Sequence, residues 1–148
     1  MSGAAAQSGA LCVLGFDVGT RRIGVAVGNT LSHSARPLAV VAASDQGPDW
    51  SAIDRHVHRW NPARLVVGDP LSLEGEVQAI TRRARAFAEA VAERYGVPVD
   101  LVDERSTSRE ADRVFARRRR DGTARRKDAA ELDAVAASLI LERWLQTR

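Results

Sequence analysis

Residues 11–29 read LCVLGFDVGTRRIGVAVGN, and this stretch decides the fold. Apolar residues lead to Asp17, the chain turns at Gly19, and apolar residues resume, which predicts two antiparallel strands joined by a short turn. A carboxylate at the tip of a buried strand is costly unless a cation or an array of donors compensates it. Gly19 can adopt backbone angles that side chains forbid, so main-chain N–H groups of the turn could approach a ligand there. The pattern predicts Asp17 as a functional residue, and the alternative is an ordinary hairpin whose Asp helps to form the turn.

Length and composition favour one domain. The chain has 148 residues and a mass of 16.0 kDa, which suits a single core over residues 11–148. The first ten residues, MSGAAAQSGA, lack the basic and apolar regions of a signal peptide and predict a disordered tail. No apolar run approaches the roughly 18 residues of a membrane span. We therefore expect a cytoplasmic protein without membrane contact. The single Cys12 excludes an internal disulfide and is typical of a small packing residue.

Positive charge is concentrated in one segment of the chain. The formal net charge is +3 and the sequence pI is about 9.9. One short segment holds seven of the cations: Arg117, Arg118, Arg119, Arg120, Arg125, Arg126 and Lys127. A basic segment of this kind favours a polyanionic partner, above all nucleic acid. The alternative is a solvated surface segment.

Strand and helix patterns alternate along the rest of the chain. Strands are predicted over residues 37–43, 64–69 and 99–103, and the sequence SDQGPD after the first of them predicts a loop. Helices are predicted at residues 50–60, from Glu74 to residue 95, from about Thr107, and over about residues 128–144. This order predicts an α/β fold with a five-stranded mixed sheet flanked by helices. Its first three strands form an antiparallel meander, and helical crossovers add the parallel strands.

Three acids are expected to meet at one edge of this sheet. Asp17 and Glu104 follow strands, at the carboxyl-terminal edge where ligands bind in open α/β sheets. On the last helix, Leu132, Ala136, Leu139 and Ile140 predict the apolar face. At about 100° per residue, Asp133 falls inside the edge of that face, between Ile140 and Trp144. Three carboxylates form an all-oxygen site that suits Mg²⁺ or Mn²⁺ and is poor for zinc. The alternative for Asp133 is an acid of the first helical turn, stabilised by the helix dipole.

Five motifs in this order carry a resemblance to a known family: GFDVGTRRIGVAVGN, RPL, VVGDPLSLEGE, VDERSTSREA and ELDAVAASLILERWL. Over about residues 10–146 they closely resemble the YqgF family of bacterial pre-16S rRNA nucleases and Holliday-junction-resolvase-like proteins. The resemblance implies a ribonuclease H-like fold and a cytoplasmic hydrolase that acts in maturation of the 5′ end of 16S rRNA. It also implies that Asp17, Glu104 and Asp133 occupy the positions of the family's acidic residues. We expect them to hold two metal ions for phosphodiester hydrolysis.

Two departures from the family pattern are visible. Asp69 stands where the family usually has an apolar residue, and Ser106 follows DER where an apolar residue is usual. Because the wider fold often has an acid at the end of the strand beside the first one, Asp69 could be an extra metal ligand that competes with Glu104. The second change is expected to affect helix packing more than chemistry.

Nucleic-acid contacts are expected at the turn and beside the acids. In addition to the basic segment, the expected contacts are Gly19, Thr20, Arg21, Arg22 and Arg105. Two alternatives to an rRNA nuclease remain: an endonuclease for four-way DNA junctions, and a binding module for rRNA without catalysis. A resolvase makes paired cuts and should dimerise. Because the sequence shows no obvious dimer stripe, we expect a monomer or a weak homodimer.

Overall fold

A computed structural model describes residues 11–103 and 126–147, without the side chains of residues 126–130. In chain order its elements are β1 (Cys12–Val18), β2 (Arg22–Asn29), β3 (Ser34–Ser44), β4 (Gly47–Pro48), α1 (Trp50–Trp60), β5 (Arg64–Asp69), α2 (Ala79–Tyr95), β6 (Val99–Asp103) and α3 (Arg126–Gln146). The predicted amino-terminal tail and the helix predicted from about Thr107 lie outside the described residues. No helix within the described ranges is both long and apolar enough to cross a membrane.

The strands form one mixed sheet in the order β4-β3-β2-β1-β5-β6. Strands β1, β2 and β3 are antiparallel neighbours, whereas β5 runs parallel to β1 and β6 runs parallel to β5. The predicted meander with parallel additions is therefore confirmed. The predicted count of five strands is wrong by one, because the loop predicted at SDQGPD contains β4. This two-residue strand pairs through the main chain with the end of β3, after a turn at Asp45 and Gln46. Its first residue, Gly47, has φ +116°.

Helices cover both faces of the sheet. Along β1, Leu14, Phe16 and Val18 pack in one cluster with α1 and α2. The intervening Val13 packs in a second cluster with α3, and Gly15 faces Leu141 of α3. Because side chains alternate along a strand, every β1 residue belongs to one of these two faces. We call them the α1/α2 face and the α3 face.

The second helix begins later than predicted. Its pattern extended back to Glu74, but α2 begins at Ala79. The preceding residues form a hydrogen-bonded loop in which the Ser72 hydroxyl accepts from the Glu76 N–H at 2.9 Å. The Thr81 hydroxyl donates to the Pro70 carbonyl and accepts from the Gln78 N–H at 2.9 Å. These hydrogen bonds hold the preceding residues in the loop, so the helix begins only at Ala79. The helix ends at Tyr95, and Gly96 follows with φ +66°, as predicted.

The last helix differs from the prediction in the position of its apolar face. Helix α3 is two residues longer at each end than expected. Leu132 and Leu139 are only half-buried. The fully buried apolar side chains of this helix are Ala137, Ile140, Leu141 and Leu145. Its contact with the sheet is therefore centred on these residues, with Asp133 one turn before Ala137.

Candidate metal centre at the carboxyl end of β1

Asp17 lies on the α3 face of the sheet. It is the next to last residue of β1 and is half-buried. Its neighbours Phe16 and Val18 pack on the opposite face, so the alternation of the strand points Asp17 toward α3. The antiparallel register places Gly24 of β2 directly opposite Asp17. Directly opposite residues have Cα atoms about 5 Å apart, so Gly24 and Asp17 form one level of the sheet.

The backbone of α3 rests on this level. A Cβ atom built on Gly24 would lie 1.9 Å from the carbonyl oxygen of Asp133 and 2.4 Å from its carbonyl carbon. Real Cβ atoms do not approach that closely, so only glycine admits the helix here. The structure therefore brings Asp133 beside the strand pair that carries Asp17, which agrees with the predicted inward phase of Asp133.

Arg22 compensates the charge of Asp133. Its Nε donates to Asp133 Oδ2 at 2.5 Å, and the two side chains are 45% and 28% exposed. Because Ile23 packs on the α1/α2 face, the alternation of β2 turns Arg22 toward α3. The contact predicted from the sequence for Arg22 was a phosphate. In this structure its partner is a carboxylate of the candidate site.

The turn between β1 and β2 is closed by its own main chain. The Gly19 N–H donates to the Arg22 carbonyl at 2.8 Å, and a Cβ on Gly19 would lie 2.7 Å from that oxygen. This N–H is used inside the turn, so it does not serve the ligand role that we expected for it. Thr20 and Arg21 are exposed at the tip. Arg83 of α2 fixes the turn by donating to the Thr20 carbonyl at 3.1 Å.

Asp69 lies on the opposite face of the sheet. Its strand neighbours Val66 and Val67 pack on the α3 face and the α1/α2 face respectively, so Asp69 shares the face of Val67. There it accepts two hydrogen bonds from Arg85, Nε to Oδ1 at 2.8 Å and Nη2 to Oδ2 at 2.9 Å. These bonds raise the pKa of Arg85. The structure does not bring Asp69 together with Asp17 and Asp133, contrary to the expectation of a fourth acid at the site.

The remaining predicted site residues lie outside the described side chains. They are Glu104, Arg105, Arg117, Arg118, Arg119, Arg120, Arg125, Arg126 and Lys127. Within the described residues, no group of three or more His, Cys, Asp or Glu side chains is placed to hold a metal ion. The described part of the site thus holds two of the three predicted ligands, Asp17 and Asp133.

The glycines that face α3 were not predicted from the sequence as part of the site. Gly15 and Gly28 have the same orientation as Gly24, and a Cβ on either would lie 3.0 Å from the Leu141 side chain. The sequence contains a signal for this role: three glycines fall at positions of one face in two largely apolar strands. Together they let α3 lie close to the sheet.

Comparison with known families identifies the chain. A family model described as "RuvX: Holliday junction resolvase" matches residues 11–147. The chain belongs to this RuvX family. RuvX is the family also called YqgF, so the resemblance carried by the five motifs is confirmed.

Similar RuvX-type sequences have names that point to RNA. The chain is 58% identical over 133 residues to a protein named "Putative pre-16S rRNA nuclease" from Xanthomonas campestris pv. campestris (strain B100), with 90% of this chain and 86% of that protein covered. A protein of the same name from Xanthomonas oryzae pv. oryzae (strain PXO99A) is 57% identical over the same shares.

Solved structures confirm the ribonuclease H-like fold. RuvC of T. thermophilus in complex with a Holliday junction substrate superposes with a TM-score of 0.55 at 22% identity, covering 93% of this chain and 95% of that one. The Holliday junction resolvase of fowlpox virus gives 0.53 at 14% identity, with 93% and 100% covered. Since both identities are low, these likenesses establish the fold of this RuvX member and nothing finer.

Proposed function

We propose that this protein is a metal-dependent nuclease that hydrolyses phosphodiester bonds of precursor 16S rRNA during maturation of its 5′ end. The observation that carries the proposal is the placement of Asp17 and Asp133 at one level of the α3 face, with Gly24 between them. The names of relatives at 58% and 57% identity support the choice of rRNA. A role in rRNA maturation would place the protein in the cytoplasm.

The donor set suits a hard divalent cation. Asp17 and Asp133 offer only carboxylate oxygens, which are the ligands that Mg²⁺ and Mn²⁺ prefer. One of these oxygens already has a cationic partner, because Arg22 Nε lies 2.5 Å from Asp133 Oδ2. Asp17, Asp133 and Glu104 would hold the metal. When bound, the metal lowers the pKa of a water nucleophile and stabilises the entering and leaving oxygens.

The chain's own cations would bind and orient the substrate. A metal ion that takes Asp133 Oδ2 would displace the Arg22 Nε–H, which would then donate to a phosphate oxygen. Arg21 and the hydroxyl of Thr20 are exposed on the same turn and would contact neighbouring phosphates. Arg105 and the basic segment 117–127 would extend this contact along the backbone.

A second candidate substrate is a four-way DNA junction. The description of the RuvX family names Holliday junction resolvase activity, and this observation favours it. A resolvase must cut two strands symmetrically, so this activity would require two copies of the chain. A monomer or weak homodimer fits the rRNA substrate better.

The decisive experiment offers three substrates side by side: a 5′ precursor fragment of 16S rRNA, a generic single-stranded RNA of equal length, and a four-way DNA junction. We expect cleavage of the precursor only when Mg²⁺ or Mn²⁺ is present, and none by Asp17→Asn. Preference for the junction would replace the rRNA assignment by the resolvase. Binding without cleavage of any substrate would leave only the non-catalytic module.

A further inference from the structure

A cavity of about 270 Å³ lies at the same end of the sheet as Asp17, on the α1/α2 face. Val18 and Ile23 line it, and these residues adjoin Asp17 and Arg22 in the sequence. The turn of residues 19–22 joins β1 to β2 at this end, so both faces of the sheet meet at its tip. The cavity and the candidate metal centre therefore lie on the two sides of one turn.

The cavity exists because two side chains on its α2 wall are small. Ala86 and Ala90 line it one helical turn apart, and Phe87 lies beside them. Trp50 of α1 lines the cavity as well, and its ring stacks on that of Phe87 with 5.9 Å between the ring centroids. These alkyl and aromatic groups favour an uncharged ligand with an apolar surface.

One carboxylate lines this cavity. Asp45 belongs to the turn before β4, and it forms no ion pair with another described side chain. A carboxylate repels a phosphate group, but it accepts hydrogen bonds from the amino groups of nucleobases. The interior of the cavity therefore favours a base over an anion.

Arg83 connects the cavity to the turn beside the metal centre. It lines the cavity, and its Nη2 donates to the Thr20 carbonyl at 3.1 Å and to the Ser44 carbonyl at 2.9 Å. Among the described side chains, no carboxylate pairs with Arg83, so its charge can attract a phosphate that passes over the turn. Thr20 follows Asp17 by three residues, which limits the distance between their Cα atoms to about 11 Å.

We infer that this cavity binds an unpaired base of the substrate strand, while Arg83 holds a phosphate of the same strand at the turn. The inference rests on the proposed nuclease function and deepens it, because a base that is paired in a duplex cannot enter the cavity. A stacked strand advances about 3.4 Å per nucleotide, so about 11 Å corresponds to about three nucleotides. The bound base should therefore lie within about three nucleotides of the cut.

The test combines filling of the cavity with removal of single bases from the RNA. Ala86→Leu fills the cavity from an exposed position of α2. Ala63→Leu is the control, because Ala63 is also exposed but lies beside the start of β1, where its N–H donates to the Cys12 carbonyl at 2.9 Å. Both are made in Asp17→Asn, and binding of a short single-stranded precursor RNA is measured by anisotropy in chelator. We expect Ala86→Leu to weaken binding at least about fivefold and Ala63→Leu to leave it unchanged.

RNAs that each lack one base locate the base that enters the cavity. In the Asp17→Asn protein, loss of that base should weaken binding by a similar factor, and Ala86→Leu should abolish this penalty at that position alone. A fully paired duplex of the same sequence should bind equally with and without Ala86→Leu. Wild-type affinity of Ala86→Leu for the intact RNA, or base-removal penalties that it leaves unchanged, would overturn the inference. Thermal unfolding checks the fold of each variant, and Ala90→Leu fills the same cavity if Ala86→Leu does not fold.

The Arg83 contact has a readout of its own. Arg83→Gln should flatten the slope of log affinity against log salt by about 0.7 units, whereas Ala86→Leu removes no charge and should leave the slope unchanged. An unchanged slope in Arg83→Gln would overturn the phosphate contact. These binding results are independent of the reaction, because absence of cleavage by the wild-type chain would instead refute the nuclease itself.

Discussion

Gly24 and Asp133 are in backbone contact across the interface between β2 and α3. The space that a Gly24 Cβ would need is occupied by the Asp133 carbonyl, 1.9 Å away. Because Gly24 is also the strand partner of Asp17, this contact fixes how the two acids are placed relative to each other. The site therefore depends on the absence of a side chain as much as on the presence of two carboxylates.

Gly24→Ala should reduce the cleavage rate by far more than its loss of folding stability explains. The new methyl group must push α3 away from β2, which moves Asp133, and a misplacement of about 1 Å costs about a hundredfold in rate. Over-packing of this kind costs about 1–3 kcal/mol of unfolding free energy. Cleavage rate and chemical denaturation are measured together.

The matched control for this variant is Gly15→Ala. A Cβ there would meet Leu141 Cβ at 3.0 Å, on the same face of the sheet but two turns along α3 from Asp133. Because this contact is longer than the one at Gly24 and is made to a side chain, we expect a smaller loss of stability and less than a threefold loss of rate. Equal losses of rate in both variants would show that Gly24 has no special role in placing the acids.

Arg22→Gln should increase the affinity for divalent metal. Arg22 Nε holds Asp133 Oδ2 at 2.5 Å, so a metal ion that takes this oxygen must displace it. A partly exposed ion pair is worth about 0.2–1 kcal/mol, so the dissociation constant for Mn²⁺ should fall by up to about fivefold. Calorimetric titration without nucleic acid measures it, and Arg21→Gln is the control because Arg21 is exposed at the tip of the same turn. Weaker Mn²⁺ binding by Arg22→Gln would mean that Arg22 positions Asp133 for the metal and does not compete with it.

The faces of Asp17 and Asp133 could be predicted because each follows from a local period. Two-residue alternation assigns Asp17 to one side of β1, and the 3.6-residue period turns Asp133 inward. The apolar face of α3 was predicted less well, since Leu132 and Leu139 are only half-buried. The helix instead packs against the glycines of β1 and β2, and the period alone does not reveal that contact.

Asp69 illustrates what the sequence could not provide. Its position at a strand tip suggested a metal ligand. Because side chains alternate between the two faces of the sheet, however, Asp69 lies on the face opposite to Asp17. Its partner Arg85 is sixteen residues away and meets it only because α2 packs on that face. Likewise, α2 begins at Ala79 because Thr81 bonds to Pro70, a contact between loop and helix that no propensity encodes.

Asp69→Asn should reduce stability and spare catalysis. The change removes the charge from a paired carboxylate whose side chain is 13% exposed, but its partner Arg85 is 41% exposed, so solvent screens the pair and the loss of stability should be modest. Denaturant unfolding should show this small loss, while Mn²⁺-dependent cleavage by the folded variant stays within about twofold of wild type. A folded variant without activity would restore Asp69 to the list of metal ligands.

The basic segment predicts a salt-dependent contact of its own. Replacement of Arg117, Arg118, Arg119 and Arg120 by Gln in the Asp17→Asn background should weaken RNA binding similarly for different sequences, because phosphate contacts do not read bases. Each lost contact should flatten the salt slope by about 0.7 units for a single strand. Anisotropy titrations over a range of salt measure this slope. An unchanged slope would make the segment a solvated surface.

We expect Asp17 and Asp133 to act together in one metal-dependent site. The single-turnover cleavage rate of a precursor 16S rRNA fragment in Mg²⁺ tests this for Asp17→Asn, Asp133→Asn and the double variant. Asp128→Asn is the control, because at about 100° per residue Asp128 falls on the other flank of the helix from Asp133. We expect each single change to reduce the rate by at least about a thousandfold. The double variant should be no slower than the worse single variant, because the two acids act as a unit. Asp128→Asn should be close to wild type. Wild-type turnover by a correctly folded Asp17→Asn or Asp133→Asn would show that the two acids do not form such a site.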